Sequence, residues 1–372
     1  MRVFQILEKN RFDTGSVHQM FQAAVGLRER ANDVTIISRF DSTLEKKALE
    51  AGLDYVALPF SSDFDLRTIR AIARLVREKR PDVIHVHKGR SHTLALLATL
   101  RTPVGAFVVN RGVSFPLTVW NGPKYRTRRV DRIVTVCEQI RGVIVESGRV
   151  PAEKVEVVYA GTDVELFDPA RWERSDFRGE RGVAENEFVY MQVGIRDWKG
   201  WRELVDSFSD VAAQRAGVRL VLVACKSEEE RRAIERHAAE RGVGPLVTAV
   251  EYRDDMARVL ASADCVVDAS WGGTGITGTI REAMALARPV IATDCGGNRE
   301  LVASPAVGWL VAARDRAALA GAMLSVLDAR DAAAATGLAA RRRVIEGFSK
   351  SVRIDRLERL YRAILEGKGI RG

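Results

Sequence analysis

The chain has 372 residues, 47% of them apolar, with 58 Lys and Arg against 49 Asp and Glu for a net charge of +9. That length and apolar content fit two domains of ordinary size, no apolar run approaches the length of a membrane span, and Met1–Leu7 reads as a first strand rather than a signal peptide, which points to the cytoplasm. The charge is uneven, +7 over residues 1–175 and +2 over the remainder, which suits an anionic membrane surface or a phosphorylated acceptor. No zinc finger, recognition helix or RNA-binding aromatic signature accompanies it, so nucleic acid is not an expected partner.

Val3–Leu7 is expected to be a strand. Gly15 and Ser16 close the loop after it, and Val17–Arg28 has a helical apolar stripe with Val17, Met20, Phe21 and Ala24 on one face. Val34–Ser38 and Tyr55–Leu58 are further strands. Asp63-Phe64-Asp65 matches the D-x-D of metal-dependent transferases, but a helix starts here and Asp63 is favoured as its N-cap. Pro81–His87 is a strand whose alternation puts His85 and His87 on one side, with His87 last. Val104–Asn110 is the next strand, with Asn110 and Arg111 at its end. Residues 121–132 are basic and irregular, carrying Lys124, Arg126, Arg128, Arg129 and Arg132. They read either as a solvated loop or as a membrane or acceptor contact. Strands follow at Ile133–Val136 and Val155–Val158, around a helix at Glu138–Glu146. Residues 170–187 are charged and poor in apolar side chains, as a linker would be.

The strand-helix pattern restarts at Glu187–Val193 and runs into Gly194-Ile195-Arg196-Asp197-Trp198-Lys199-Gly200. Two cations on a glycine loop after a strand suit a pyrophosphate. Val218–Ala224 is a strand, and Tyr252 follows another. The stretch Asp264–Glu300 then reads as strand, four-glycine loop, helix, strand and Gly-Gly loop, with Pro289 ending the helix. The loops lie at the carboxyl ends of parallel strands, where open sheets bind ligands. Glycines admit a phosphate to the amides of the helix start. Glu282, one turn inside, can accept from the hydroxyls of a neighbouring ribose. Two other readings stay open. Thr279-x-x-Glu282 fits a capping box, and Gly273-x-Gly275-x-x-Gly278 with Asp294 fits a dinucleotide fingerprint. Cys137, Cys225, Cys265 and Cys295 have no paired metal spacing and read as buried thiols.

The run Glu282-Ala-Met-Ala, Arg288-Pro-Val-Ile-Ala-Thr, Gly-Gly and Glu300 resembles the donor motif of the retaining GT-B glycosyltransferases of family 4. The resemblance implies two Rossmann-like α/β domains facing across a cleft: residues 1–169 on the acceptor side and 170–351 on the donor side, with a last helix near 352–372 packing back on the first. It implies transfer of a sugar from a nucleotide-sugar to a glycan or glycolipid acceptor, such as a cell-envelope polysaccharide, with no cofactor and no metal. By position, it assigns catalysis to Arg196, Lys199 and His87, and acceptor contacts to Asn110 and Arg111. Donor contacts fall on Gly15, Ser16, Gly194, Tyr252, Thr274, Gly275, Thr277, Gly278, Thr279 and Glu282. The family's first motif glutamate is Thr274 here. That departure keeps open a nucleotide-sugar-binding protein without transfer activity, beside the less favoured dinucleotide-dependent oxidoreductase. The basic first half makes the inner face of a membrane an expected partner.

Overall fold

A computed structural model of the chain describes residues 1–9, 15–40, 43–273 and 275–370. It divides into two units. One comprises Met1–Gly161 with Lys350–Gly372, the other Thr162–Ser349.

The first unit holds seven parallel strands: β1 (Arg2–Leu7), β2 (Asp33–Ser38), β3 (Asp54–Ala57), β4 (Val83–His87), β5 (Ala106–Arg111), β6 (Arg132–Thr135) and β7 (Val155–Val157), in the order β3-β2-β1-β4-β5-β6-β7. Strands such as Val83–His87 are buried along their whole length. That is why they read as near-continuous apolar runs, covered by helices on both faces. The sheet's core is closed by two helices distant in sequence. Val17, Met20 and Leu27 of helix Gly15–Glu29 pack in one cluster with Ile354, Leu357, Tyr361 and Ile364 of the last helix, Lys350–Gly367.

The second unit holds six parallel strands: β8 (Phe188–Val193), β9 (Val218–Cys225), β10 (Val247–Glu251), β11 (Cys265–Asp268), β12 (Val290–Thr293) and β13 (Trp309–Val311), in the order β10-β9-β8-β11-β12-β13. The chain fills one half of this sheet from β8 outward, then crosses back to place β11 on the other side of β8. The boundary between β8 and β11 is therefore the switch point at which open α/β sheets form ligand crevices. In the first unit the corresponding switch lies between β1 and β4.

Three expectations need correction. Residues 170–187 are not a linker. Helix Arg174–Glu180 packs into the second unit, where the buried Arg178 donates to the carbonyls of Ser262 and Glu187 and lies 2.6 Å from Asp264 Oδ2. A composition rule misses this because, beside Phe177 and Val183, the segment buries an arginine satisfied by carbonyls and one carboxylate. The N-cap of helix Leu66–Lys79 is Asp65, not Asp63, and it accepts from the amides of Arg67 and Thr68. Asp63 instead pairs with Arg90 at 3.0 Å. The basic stretch 121–132 is partly structural. Lys124 donates to Gly89 O and Thr93 Oγ1 at 2.8 and 3.0 Å, Arg129 donates to the carbonyls of Thr99 and Leu100, and Tyr125 is buried.

Candidate functional site

The carboxyl ends of β8 and β11 are braced together. Gly200 follows β8 with a φ of +67°, and a Cβ on it would stand 2.0 Å from Ala269 O, so only glycine lets this loop lie against the end of β11. Trp271 N donates to Trp198 O at 2.9 Å, and the buried Gln192 accepts from Ala269 N and donates to Lys199 O. The same device recurs after β12. Gly296 has a φ of +61°, a Cβ there would lie 2.5 Å from Gly275 O, and Gly297 N donates to that carbonyl.

At the centre of this bracing is Asp268, the last residue of β11 and 2% exposed. Its Oδ1 accepts from Lys199 Nζ at 3.2 Å and Ser270 Oγ at 2.8 Å. Its Oδ2 accepts from Thr277 Oγ1 at 2.9 Å and Asn298 Nδ2 at 3.0 Å. Asn298 also accepts from Thr277 N at 3.0 Å. Asp268, Asn298 and Gln192 carry no role in the sequence reading. The one available signal was a carboxylate ending the apolar run Cys265–Asp268.

Helix Gly278–Ala285 opens onto this cluster. Thr277 stands at its N-cap without a side-chain capping bond, its hydroxyl turned to donate to Asp268. The first-turn amides thus lack the side-chain acceptor that usually satisfies them, and they face the loops with the positive end of the helix dipole. Thr279 and Glu282 lie inside the helix, so the capping-box reading fails. Glu282 has no hydrogen-bond partner among the described residues, and burial pushes its carboxyl above the usual carboxylate range against the opposing pull of Arg281. Its Oε1 lies 3.9 Å from where a Cβ on Gly278 would sit, which puts the carboxylate beside the helix start. Arg196 is exposed in the β8 loop and makes no side-chain hydrogen bond among the described residues. Gly194, Gly275 and Gly278 take the loop and helix-start positions expected of them, and Tyr252 lies exposed just beyond β10. Thr274 lies outside the described residues. Asp294, the acidic partner of the dinucleotide fingerprint, forms an ion pair with Arg299.

The first unit treats its candidates differently. His87 does end β4, but it is 2% exposed and its Nε2 lies 2.7 Å from Gln5 Oε1. Burial and the charge of Arg353 pull the imidazole down to about 3, so it is neutral at physiological pH. The expected contact of His87 with substrate is corrected: the residue is a core histidine, stacked on His85 with ring centroids 4.4 Å apart. Arg111 is also engaged, donating to Tyr125 Oη and Phe115 O. Asn110, beside His87 in the β4–β5 register, has a buried Oδ1 with no partner among the described residues. Gly15 and Ser16 form the first residues of helix Gly15–Glu29, and no described residue comes within 4 Å of where a Cβ on Gly15 would sit.

Comparison with known proteins gives the same assignment from an independent direction. A family model described as Glycosyltransferase Family 4 matches residues 14–166, and one described as Glycosyl transferases group 1 matches residues 187–329. A glycosyltransferase from Rickettsia africae has a similar structure at 20% identity, with a TM-score of 0.90 over 98% of both chains. The Anabaena HepE protein, solved with UDP, is similar at 17% identity, with a TM-score of 0.85 over 98% of this chain and 100% of that one. In sequence, the UDP-Gal:alpha-D-GlcNAc-diphosphoundecaprenol alpha-1,3-galactosyltransferase of Escherichia coli is 21% identical over 80% of this chain and 79% of its own length. With one model matching in each unit and two switched parallel sheets arranged as described, the chain belongs to the glycosyltransferases of GT-B fold.

Proposed function

We propose that this chain transfers a sugar from a nucleoside-diphosphate sugar to a glycan or glycolipid acceptor with retention of anomeric configuration. The observation that carries the reading is Glu282, a partly buried carboxylate without a hydrogen-bond partner among the described residues, set beside the uncapped start of helix Gly278–Ala285, which Asp268 ties to Lys199 through Thr277. A ribose diol supplies the donors that Glu282 lacks, and a pyrophosphate beside it meets the amides and the two cations. A dinucleotide would also bring a pyrophosphate and a ribose diol, and the family match favours the nucleotide-sugar.

The chemistry follows from charge. When the glycosidic C–O bond to the nucleoside diphosphate breaks, negative charge grows on the leaving phosphate and positive charge on the sugar ring. Arg196, Lys199 and the amides at the start of helix Gly278–Ala285 are held where the phosphate charge develops, which lowers the barrier without a protein nucleophile. The leaving phosphate takes the acceptor's proton, so neither a protein base nor a metal is required. The donor-site carboxylate of the resembled family is a threonine here. We therefore read the donor sugar, or its orientation, as different from the plain hexose case. UDP is the first nucleotide to test, because the similar HepE protein was solved with it.

The acceptor side is read as lipid-linked and presented at an anionic membrane. Between Asp82 and Asp131 the sequence has eight Lys and Arg and no acidic residue. In that span Phe115, Val119 and Trp120 are 67%, 82% and 91% exposed, with Arg126 and Arg128 also exposed close by in sequence. Exposed aromatic and apolar side chains beside cations fit the interfacial region of a bilayer. No helix among the described residues is long and apolar enough to cross a membrane.

A thermal-shift panel of nucleosides, nucleoside diphosphates and their sugars tests the reading. Stabilisation by a nucleoside diphosphate well above that by its nucleoside supports it. Stabilisation by NAD or NADP alone would favour the oxidoreductase, and stabilisation by nucleotide-sugars without any release of sugar or nucleoside diphosphate would favour a binding protein.

A further inference from the structure

Lys199 meets the pyrophosphate in the reading above, and the cluster behind it shows what holds it there. Its ammonium reaches only one carboxylate among the described residues, Asp268, and the carboxylate is itself fixed at four points. Those four donors come from the β8 loop (Lys199), the β11 loop (Ser270), the residue preceding helix Gly278–Ala285 (Thr277) and the segment after β12 (Asn298). One buried side chain therefore sets the relative position of every phosphate-facing element of the second unit. A carboxylate is an odd choice at the back of an anion site. Its negative charge opposes the binding of the diphosphate, although its two oxygens offer the four donors more acceptors than a neutral amide would. What a carboxylate adds is a directional hold on the ammonium. A lysine carries one compact charge on a flexible four-carbon stem, and its rotamers spread unless something fixes the end. With one of its three donors on Asp268, Lys199 has the others left to aim at a phosphate oxygen.

We infer that Asp268 is a positioning residue of the transfer reaction: it weakens nucleoside-diphosphate binding while fixing Lys199 for the transition state. This rests on the donor-site reading of Lys199. It implies a division that packing alone would not produce. The carboxylate's charge acts on bound diphosphate in the ground state, whereas its geometric hold matters most when the leaving phosphate gains charge.

The test is Asp268→Asn in the full chain, with UDP binding measured by calorimetry and turnover followed as UDP release from UDP-glucose or another UDP-sugar that the wild type turns over. Asparagine keeps the size and one acceptor oxygen, enough for two of the four donors, and removes the charge. The expected result is UDP binding tightened by about three- to tenfold and kcat lowered by about tenfold or more, with KM falling rather than rising. Unchanged kcat, or a joint loss of kcat and UDP affinity, would overturn the inference and leave Asp268 as a structural brace. If Asp268→Asn does not fold, Ser270→Ala removes one of the two donors on Oδ1. It keeps the charge and loosens only the geometric hold, so kcat should fall by a smaller factor with UDP affinity not tightened, and an unchanged kcat in this variant overturns the inference equally. Lys199→Ala is run alongside. If that variant keeps wild-type turnover and UDP affinity, the donor-site reading itself fails, which is distinguishable from a failure confined to Asp268.

Discussion

At the carboxyl ends of β8 and β11, Glu282 and Arg196 make no side-chain hydrogen bonds among the described residues, while the residues behind them are braced through Asp268. At the ends of β4 and β5, His87 is tied to Gln5 and Arg111 to Tyr125 and Phe115. Both pairs of strands stand at or next to a switch in strand order. Position in the fold therefore does not distinguish these residues, and the hydrogen-bond state of their side chains does, with the unpartnered Oδ1 of Asn110 and the bonded Lys199 as exceptions on either side. A polar group held by the protein is spending its capacity on structure. One left unsatisfied in a partly buried place is destabilising until a ligand arrives.

The sharpest way to break this comparison is to remove the cations of the second unit. Arg196→Ala with Lys199→Ala should lower turnover by about a thousandfold or more while the protein stays folded, the scale seen when transition-state charge loses its stabilising donors. UDP affinity should fall far more than uridine affinity. Equal losses for both ligands would place the pair away from the pyrophosphate. The first unit should respond differently. His87→Gln should cost stability more than turnover, and a variant that kept its melting temperature but lost kcat would return His87 to the reaction.

Membrane attachment is the next largest effect. Trp120→Ala with Val119→Ser should weaken binding to vesicles rich in anionic phospholipid by about a hundredfold, since each buried side chain of this size is worth about 1.5–3 kcal/mol and 1.4 kcal/mol is about tenfold. It should leave soluble-donor turnover unchanged. Binding to neutral vesicles that survives the double variant would contradict the assignment.

The two units should also differ in pH dependence. His87 and His92 are pulled by burial to about 3. Between that value and the ordinary range near 6.5, the unfolded chain binds more protons than the folded one, so stability rises with pH there. The melting temperature of the apo protein should thus fall as the pH drops below about 6.5, and His87→Gln should flatten that slope. Glu282 works in the opposite sense. Its raised carboxyl favours protonation in the folded state, so its own contribution to stability is lost as pH rises through its folded value. UDP affinity should instead decrease as pH falls, beginning above the usual carboxylate range, because the protonated acid is a poorer acceptor. An affinity flat with pH would mean that Glu282 does not accept from the ligand. A smaller effect is expected at Thr274, outside the described residues, where Thr274→Glu should lower activity on the native donor.

Much of the fold was legible. Apolar runs such as Val83–Val86 and Val218–Val223 are strands because they are buried on both faces, and the restart of the pattern at Glu187 marked a second sheet. The candidate donor loops were legible for the same reason: glycines and cations stand out where apolar strands end. What the sequence could not show was how polar residues spend their hydrogen bonds. Asp268 and Asn298 lie thirty residues apart, and nothing local links them to Lys199. Glu282 and Thr279 have capping-box spacing, yet the helix begins at Gly278 and the box never forms. His87 sits at the end of a strand, as a site residue should, and only its partner Gln5, 82 residues earlier, shows it to be core.

The account turns on Glu282 meeting the ribose, and a paired calorimetric titration tests that most directly. UDP and its 2′,3′-dideoxy analogue are titrated into the wild type and Glu282→Gln. The account predicts that Glu282→Gln weakens UDP by about 1–3 kcal/mol, the range for a hydrogen bond to a charged group, and that the same substitution costs the dideoxy analogue almost nothing. Equal weakening of both ligands would contradict it, because the carboxylate would then be acting on something other than the ribose hydroxyls.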